Sequence, residues 1–526
     1  MMPTLLVTLS TIPCLLLLLL VFLPASAANS QVSRLVRLVT TIAGLNAVAA
    51  IGAFAVTLFY GAEHLVLFTV VQNLPVTVSF YVDGISSLML MLVASVGWVI
   101  CRFSVRYLDG ESGQGNYFRW TGFTIGAVSV FVVAGNLALM VVALLLTSIG
   151  LHQLLVHYND RPAARRAAAI KFIFSRLGDV FLIAAGVLLF KELGTLELPQ
   201  LFSAVGTLDE TAVATSSRLA ATGWLLVLCA VFKSAQFPFH TWLPETMEAP
   251  TPVSALMHAG IINAGGYLLI RTAPIVSLVP AAMWAVAGLG AFTAIFAALV
   301  MLTQTSVKRS LAWSTIAQMG FMMLQCGLGA FSAAMLHIIA HSLYKAHAFL
   351  SSGSVMSESY AMTGVPAKVK SAFVSVALFC VAATVTAAIF VGTATALGIS
   401  LQSKPGGFLL GFILCLGLTR WQWQMLLNGP RFLLRGVATS VVLICAYLVS
   451  FSAVHSVVAG SSGLLLPVDN SWLMIATASV FAGLMLVELL TRNYGRSAWM
   501  HRLYVHSSNG FYVDTVWIYA AKSFSS

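Results

Sequence analysis

Charged residues are scarce in this sequence, and their scarcity excludes an ordinary soluble protein. Asp, Glu, Lys and Arg make up 8% of the 526 residues, whereas soluble domains carry about 25%. Hydrophobic residues make up 59% of the chain, and apolar runs of about twenty residues recur from end to end. Because each such run is long enough to cross the hydrocarbon core of a bilayer, the sequence predicts an all-α polytopic membrane protein.

The sequence also lacks the patterns that bind metal ions and nucleic acids. Its seven cysteines lie singly in apolar runs without a C-x-x-C pair, so neither a disulfide framework nor a metal cage is expected. The net charge is +11, but Lys and Arg collect in short loops, where they orient membrane proteins. No zinc-finger spacing or RNA-binding signature accompanies them, so nucleic acid is not an expected partner.

Hydropathy predicts about 14–15 spanning helices. Ala25-Ser26-Ala27 resembles a signal-peptidase site, but no Lys or Arg precedes the first apolar run, so we interpret residues 1–28 as the first span. Basic residues concentrate in alternate loops, which predicts an external N-terminus and a cytoplasmic C-terminus. The predicted spans are 3–24, 36–59, 85–103, 120–137, 139–157, 170–190, 222–237, 252–272, 279–303, 308–328, 331–352, 371–397, 406–426, 435–456 and 470–491.

The chain divides into N-terminal spans (1–110), a central block (111–430), and C-terminal spans with a cytoplasmic tail (431–526). The longest polar stretch, near 492–526, is too short to bury a core of its own. Its aromatic residues indicate docking onto the lipid bilayer or a partner. We therefore expect this chain to be a transporter subunit rather than an enzyme, with any catalysis on a soluble substrate carried by a partner chain.

Lys233 lies in the apolar run WLLVLCAVFKSAQFPFHTW, with Pro238 five residues further on. Because proline removes a backbone donor, a discontinuous helix is predicted near Pro238. An ionisable residue within the bilayer marks an ion pathway by default, although a lysine that snorkels to the inner surface is the alternative. Of the carboxylates that follow, Glu248 is expected to pair with Lys233, and Glu245 is expected to be a surface carboxylate.

His337, His341 and Lys345 are spaced i, i+4 and i+8, so they share one helix face. Histidine both gives and takes protons near neutral pH, so this face predicts a proton wire. The competing interpretation is a metal site, but no third Cys, Asp or Glu ligand lies nearby in the sequence. His347 points away from this face and is expected to be structural.

Other ionisable residues in apolar runs extend the candidate pathway. His258 follows the helix break, and His152 lies in the run IGLHQLLVHY. Arg176 and Asp179, at i and i+3, are expected to form a buried structural ion pair. Lys171 lies near them and is a weaker candidate.

Several ungapped runs, in this order, resemble the antiporter-like subunits of respiratory complex I and Mrp antiporters. The resemblance implies two inverted five-helix repeats, each with a discontinuous helix, and a proton-conducting file of charged residues in the central block. It assigns Lys233 to the family's central lysine and His258, Lys308, His337, His341 and Lys345 to its connecting polar residues. The runs are YVDGIS (81–86), KFIFSRLGD (171–179), FKSAQFPFHTWLPETMEAPTPVSALMHAG (232–260), SVKRSLAWSTIAQMGFMML (306–324) and HIIAHSLYKAHAFLSSGSV (337–355).

Two departures narrow the resemblance. Thr147 stands where the family has a glutamate, and the span 371–397 carries no charge beyond its start at Lys370. Together with the ending LYVHSSNGFYVD (503–514), these departures resemble the DabB-type membrane subunits of bacterial inorganic-carbon accumulation complexes.

The DabB-type resemblance implies an inner-membrane subunit that couples cation movement, expected to be of protons, to hydration of CO2 to bicarbonate. The chemistry would belong to a cytoplasmic DabA-like partner similar to carbonic anhydrase, with zinc in that partner and no cofactor in this chain. The alternatives are a Na+/H+ antiporter subunit, a complex I-like proton-pumping subunit, and a passive membrane anchor for a soluble enzyme.

Overall fold

The computed structural model describes residues 2–71, 76–209, 215–353, 372–398, 405–429, 433–462, 471–494 and 498–513, together with Thr515. Lys370 at the start of one predicted span, and Trp517 and Tyr519 in the predicted tail, lie outside these residues. The described part of the chain is largely helical, which confirms the prediction of an all-α polytopic fold.

Apolar helices account for every predicted span. By length and composition alone, eight helices of the described residues are suited to cross a membrane, and the chain is a multi-pass membrane protein. The helices as far as the middle of the chain are α1 (Met2–Leu18), α2 (Ala25–Ser30), α3 (Val32–Tyr60), α4 (Gly84–Tyr107), α5 (Gln114–Val133), α6 (Leu137–Leu155), α7 (Pro162–Leu193), α8 (Leu198–Gly206) and α9 (Ser217–Lys233).

The later helices begin after the break that follows α9. Two of them, α10 and α13, are single turns. They are α10 (Trp242–Glu245), α11 (Thr251–Ala259), α12 (Ala264–Arg271), α13 (Ala273–Val276), α14 (Pro280–Met301), α15 (Val307–Gly327), α16 (Phe331–Leu350), α17 (Ala372–Ala396), α18 (Pro405–Asn428), α19 (Leu433–Ser462), α20 (Ser471–Tyr494) and α21 (Ala498–Ser508).

The stretch between α3 and α4 contains a β-hairpin that hydropathy did not predict. Strands β1 (Glu63–Val71) and β2 (Val76–Val82) pair antiparallel, with His64 opposite Tyr81. Both strands are rich in Val, Thr and aromatic residues, which suit a pleated surface. A search for twenty-residue apolar runs overlooks such short segments, because an extended chain needs far fewer residues per strand.

Two helix interruptions shape the middle of the chain. Helix α9 ends at Lys233, and regular helix resumes only at Trp242 in α10, which confirms a discontinuous helix near Pro238. A second interruption was not predicted: a 3-10 turn at Ile261–Asn263 separates α11 from α12. Both interruptions lie beside candidate pathway residues. They also release backbone N–H and C=O groups from the regular hydrogen bonds of the helix.

Close packing brings these interrupted segments together. A Cβ at Gly265, in α12, would overlap the carbonyl oxygen of Ala230 in α9, so glycine permits α12 to lie directly against α9. A Cβ at Gly178, in α7, would lie 3.1 Å from Cε of Lys233. Glycine at these two positions therefore leaves room for the end of α9 and for its lysine side chain.

Candidate functional site

Lys233, at the end of α9, forms a buried ion pair with a residue of the neighbouring helix α7. Its Nζ atom lies 2.6 Å from Oδ1 of Asp179 and donates a hydrogen bond of 3.0 Å to Oγ of Ser175. The two charged side chains are 6% and 4% exposed. The lysine is therefore held within the protein, and the snorkelling alternative is wrong.

Asp179 also carries the ion pair that its spacing predicted. Nη2 of Arg176 lies 2.9 Å from Oδ2 of Asp179, which confirms the predicted pair. The sequence did not reveal that Asp179 serves Lys233 as well. One carboxylate thus faces two cations, and the side chain of Arg176 is 27% exposed whereas that of Lys233 is nearly buried.

Glu248 lies elsewhere, and the expected pair between Glu248 and Lys233 is wrong. The Oε2 atom of Glu248 lies 3.0 Å from Nη1 of Arg161, and both side chains are nearly half exposed. The chain between Lys233 and Glu248 passes through the break and through α10, which carries the glutamate to the protein surface. Glu245 pairs with Arg309 at 3.0 Å on the same exposed surface, which confirms that Glu245 is a surface carboxylate.

Lys171 lies about two helical turns before Asp179 on the same face of α7 and is buried. Its Nζ atom donates to the carbonyl oxygen of Ser148 at 3.1 Å and to Oγ of the same serine at 3.0 Å. Lys171 and Lys233 both line an internal cavity of about 30 Å³, whose polar lining also includes Thr147, Ser148 and Ser175. A cavity of this size with several polar groups in its wall admits a water molecule.

The predicted stripe on α16 meets His258 of α11. Nε2 of His341 lies 3.3 Å from the carbonyl oxygen of His258, and Nδ1 of His258 lies 3.0 Å from Oγ1 of Thr315. The rings of His337 and His341 are 5.9 Å apart. The structure therefore brings three of the predicted histidines into one cluster.

Lys345 completes this stripe and is fully buried. Its Nζ atom donates a hydrogen bond of 3.0 Å to the carbonyl oxygen of Leu311 in α15. A backbone carbonyl can stabilise an ammonium ion but carries no full negative charge. Lys308 lies one turn before Leu311, half-buried at the start of α15, so it adjoins the end of the stripe.

A larger cavity opens beside the histidines of α16. Its volume is about 500 Å³, and its polar lining includes Gln318, Gln325, His337, His341 and Tyr344. Nε2 of His337 and Oε1 of Gln325 are buried without a hydrogen-bond partner among the residues that the structure describes. His337 and His341 therefore border this cavity.

Two histidines lie apart from these clusters. His152, near the end of α6, is half-buried with its ring 5.3 Å from that of Phe172 in α7. That position places it beside Lys171 rather than in contact with Lys233. His347 lines a separate groove with Phe103 of α4. Among the residues that the structure describes, no three His, Cys, Asp or Glu side chains are arranged to hold a metal ion.

Glu197 forms a polar cluster that sequence reasoning missed. This nearly buried carboxylate accepts hydrogen bonds from Thr77, from Ser79 at 2.7 Å and from Asn136 at 2.9 Å, and Nε2 of His64 lies 3.0 Å away. Burial opposes ionisation of Glu197, but these hydrogen bonds outweigh it and lower the pKa of the carboxyl. The cluster joins the β-hairpin to the start of α6 and of α8.

Family models match most of the region that contains these clusters. The model described as "NADH:quinone oxidoreductase/Mrp antiporter, TM" matches residues 134–429. The model described as "NADH-Ubiquinone oxidoreductase (complex I), chain 5 N-terminus" matches residues 68–118. The first match alone covers more than half of the chain and contains both lysine and histidine clusters.

Individual relatives agree with the family models. The chain is 45% identical over 327 residues to the "Probable inorganic carbon transporter subunit DabB2" of Halothiobacillus neapolitanus, a match that covers 62% of this chain and 58% of that protein. It is 38% identical over 276 residues to NADH-quinone oxidoreductase subunit L of Escherichia coli, covering 52% of this chain and 44% of that protein. The matched region thus spans about half the length of these curated relatives.

A solved structure shares the fold. The Mrp complex from Dietzia sp. DQ12-45-1b superimposes with a TM-score of 0.65 at 22% identity, covering 100% of this chain and 60% of the compared chain. The sequence runs, the interrupted helix after Lys233 and the family match agree with one another. This chain is a member of the NADH:quinone oxidoreductase/Mrp antiporter transmembrane family.

Proposed function

We propose that this chain is a proton-conducting membrane subunit that couples the proton-motive force to inorganic carbon uptake. The observation that carries the proposal is the Lys233–Asp179 ion pair, which is buried where α9 is interrupted. Burying an ionisable pair in a membrane protein is costly, and such residues mark functional sites by default. Lysine can release and regain a proton, so this pair suits proton movement.

Polar contacts lead from this pair to the histidine cluster. Ser234, next to Lys233, donates a hydrogen bond of 2.9 Å to the carbonyl oxygen of Ile262, in the turn between α11 and α12. Asn263, in the same turn, donates a hydrogen bond of 2.9 Å to Oγ of Ser342, next to His341. The interrupted segment between α11 and α12 thus bridges the lysine region and α16, and water in the flanking cavities would complete the route.

From His341 the route continues along the stripe. Histidine can accept a proton on one ring nitrogen and release one from the other. His258, His337 and His341 therefore supply exchange groups, and the cavity beside His337 supplies access to water. Lys345 binds a backbone carbonyl rather than a carboxylate, which leaves its proton available for exchange.

Coupling to carbon uptake rests on the relatives that are named as inorganic carbon transporter subunits. We place the chain in a bacterial inner membrane, with its N-terminus outside and its C-terminus in the cytoplasm. We propose a cytoplasmic DabA-like partner, similar to carbonic anhydrase, that holds the zinc and hydrates CO2 to bicarbonate. In this arrangement the present chain supplies the proton pathway and binds no cofactor.

Proton flux into vesicles tests the proposal. The full-length chain, with its co-expressed partner, is reconstituted into liposomes containing a pH-sensitive dye, and a potassium diffusion potential drives uptake. Lys233→Met is expected to abolish the flux, whereas the matched control Lys191→Met, an exposed lysine of α7, is expected to retain it. Flux through Lys233→Met equal to that of the unaltered protein would refute the pathway.

The cation and the partner are tested separately. The match to the family model described as "NADH:quinone oxidoreductase/Mrp antiporter, TM" favours a Na+/H+ antiporter or a complex I-like proton-pumping subunit as the second candidate function. Inorganic carbon uptake by cells that survives a protonophore but requires a sodium gradient would support the Na+/H+ antiporter. Absence of any flux in the unaltered protein would favour the passive anchor, and purification without a carbonic-anhydrase-like chain would argue against the carbon role.

A further inference from the structure

We propose that Lys171 is a second proton-exchanging lysine and that it trades a proton with Lys233 across the cavity that both residues line. This inference rests on the proposed proton conduction and adds a residue that the sequence placed only among weaker candidates. Its grounds are the burial of Lys171, the absence of a carboxylate partner for it among the described residues, and the shared water-sized cavity.

Lys171 is bound in a way that stabilises an ammonium ion without neutralising it. It is 5% exposed, and its two hydrogen bonds go to the carbonyl oxygen and the hydroxyl of Ser148. Within the part of the chain that the structure describes, it forms no ion pair. Its third N–H is therefore available to a water molecule in the cavity.

The surrounding charges do not balance when both lysines are protonated. Among the described residues at this cavity and its ion pair, Lys171, Arg176 and Lys233 supply three positive charges and Asp179 supplies one negative charge. Two further titratable groups lie nearby: Cys229, one turn before Lys233, and His152, whose ring lies against Phe172 of α7 and which would add positive charge when protonated. An unpaired buried charge is strongly unfavourable, and a buried group relieves it by losing its proton. With both lysines protonated these four groups carry a net charge of +2, and with one shared proton they carry +1, so one proton shared between the two lysines costs less than two.

The exchange needs only the two amines and a water molecule. An N–H bond of the Lys233 ammonium breaks, the proton passes through water in the cavity, and a new N–H bond forms on the neutral amine of Lys171. Lys233 becomes a neutral amine, and the Asp179 carboxylate keeps its contact with Arg176. The new ammonium of Lys171 keeps its two oxygen partners in Ser148. The reverse transfer restores the Lys233–Asp179 pair, so proton number and charge are conserved.

Three substitutions at Lys171 separate proton exchange from a fixed positive charge. Lys171→Met and Lys171→Gln remove the exchangeable proton, and Lys171→Arg keeps the charge but does not release a proton at physiological pH. All three are expected to lower the dye-measured flux about a hundredfold, the usual contribution of a positioned proton-transfer group. Lys191→Met is again the matched control, and Lys233→Met is the reference for a blocked pathway.

The outcomes distinguish this inference from the proposed function. Normal flux in Lys171→Arg, or in Lys171→Met and Lys171→Gln, overturns proton exchange at Lys171 while loss in Lys233→Met leaves the conducting role intact. Normal flux in Lys233→Met refutes the conducting role itself.

A milder variant covers the case in which the Lys171 substitutions prevent folding. Ser148→Ala removes one oxygen that stabilises the Lys171 ammonium and keeps both lysines. Proton exchange predicts that the pH at half-maximal flux moves to a lower value in Ser148→Ala, because Lys171 then needs a higher proton concentration to accept its proton. An unchanged pH profile, in a variant that assembles normally, overturns the proposal.

Discussion

Removing the carboxylate of Asp179, which Lys233 and Arg176 share, is expected to lower the unfolding free energy more than removing Lys233. In Asp179→Asn, Lys233 and Arg176 both lose their counter-charge. Removing one partner of a buried ion pair costs about 3–5 kcal/mol of unfolding free energy. Arg176 is 27% exposed and water compensates part of its loss, so we expect about 3 kcal/mol, a factor of about 100 in the unfolding equilibrium.

Removing Lys233 instead leaves the Asp179 carboxylate paired with Arg176. In Lys233→Met, Asp179 keeps its contact with Arg176 at 2.9 Å, so we expect a smaller loss of stability than in Asp179→Asn. The double variant, Asp179→Asn with Lys233→Met, removes both charges of the Lys233–Asp179 pair and leaves only the partly exposed Arg176 without its counter-charge, so it is expected to be more stable than Asp179→Asn alone. None of the three variants is expected to conduct protons, although their unfolding free energies should differ.

Denaturant titration in detergent micelles measures the unfolding free energies, and the vesicle assay measures flux on the same preparations. Glu192→Gln is the matched control: Glu192 lies on the same helix, α7, in a surface pair with Arg218, and exposed ion pairs contribute little to stability. Two results would contradict the reasoning. One is an Asp179→Asn protein as stable as the unaltered chain, and the other is a double variant destabilised by the sum of the single losses.

Three further predictions concern other parts of the chain. The pKa of Glu197 is lowered in the folded state, so its ionised carboxylate stabilises the fold above pH 4.5, the ordinary pKa, and this stabilisation is lost as the pH falls through the lower folded-state pKa. Glu197→Gln should remove this acid-dependent loss of stability. Thermal melts recorded between neutral pH and pH values below 4.5 measure it. If His337 and His341 act in series, removing both should reduce proton flux little more than removing one, whereas additive losses, or a fall in protein level, would indicate separate or structural roles. Gly265→Val should lower the melting temperature and the yield of assembled protein, because a side chain there overlaps the carbonyl oxygen of Ala230, and an unchanged melting temperature would show that α12 and α9 can move apart without cost.

Local patterns in the sequence determined the membrane class, the spans and the interrupted helix. A run of apolar residues fixes a spanning helix because the backbone must satisfy its own hydrogen bonds in lipid. The stripe of His337, His341 and Lys345 follows from helical periodicity alone, and the Arg176–Asp179 pair from its i, i+3 spacing. Hydropathy did not predict the β-hairpin because its strands are shorter than any membrane span. The inverted repeats and the division at 110 and 430 stay predictions.

Only the tertiary structure decided which charges meet. Lys233 pairs with Asp179, 54 residues earlier, instead of with Glu248, 15 residues later. The sequence favoured the near carboxylate, but the chain between Lys233 and Glu248 runs out to the surface, where Arg161 binds the glutamate. Lys171 was only a weaker candidate in the sequence, and the structure links it to Lys233 because α7 and α9 place both lysines on one cavity. Periodicity specifies the face of one helix, whereas the pairing of two faces depends on how the helices pack, which no local pattern records.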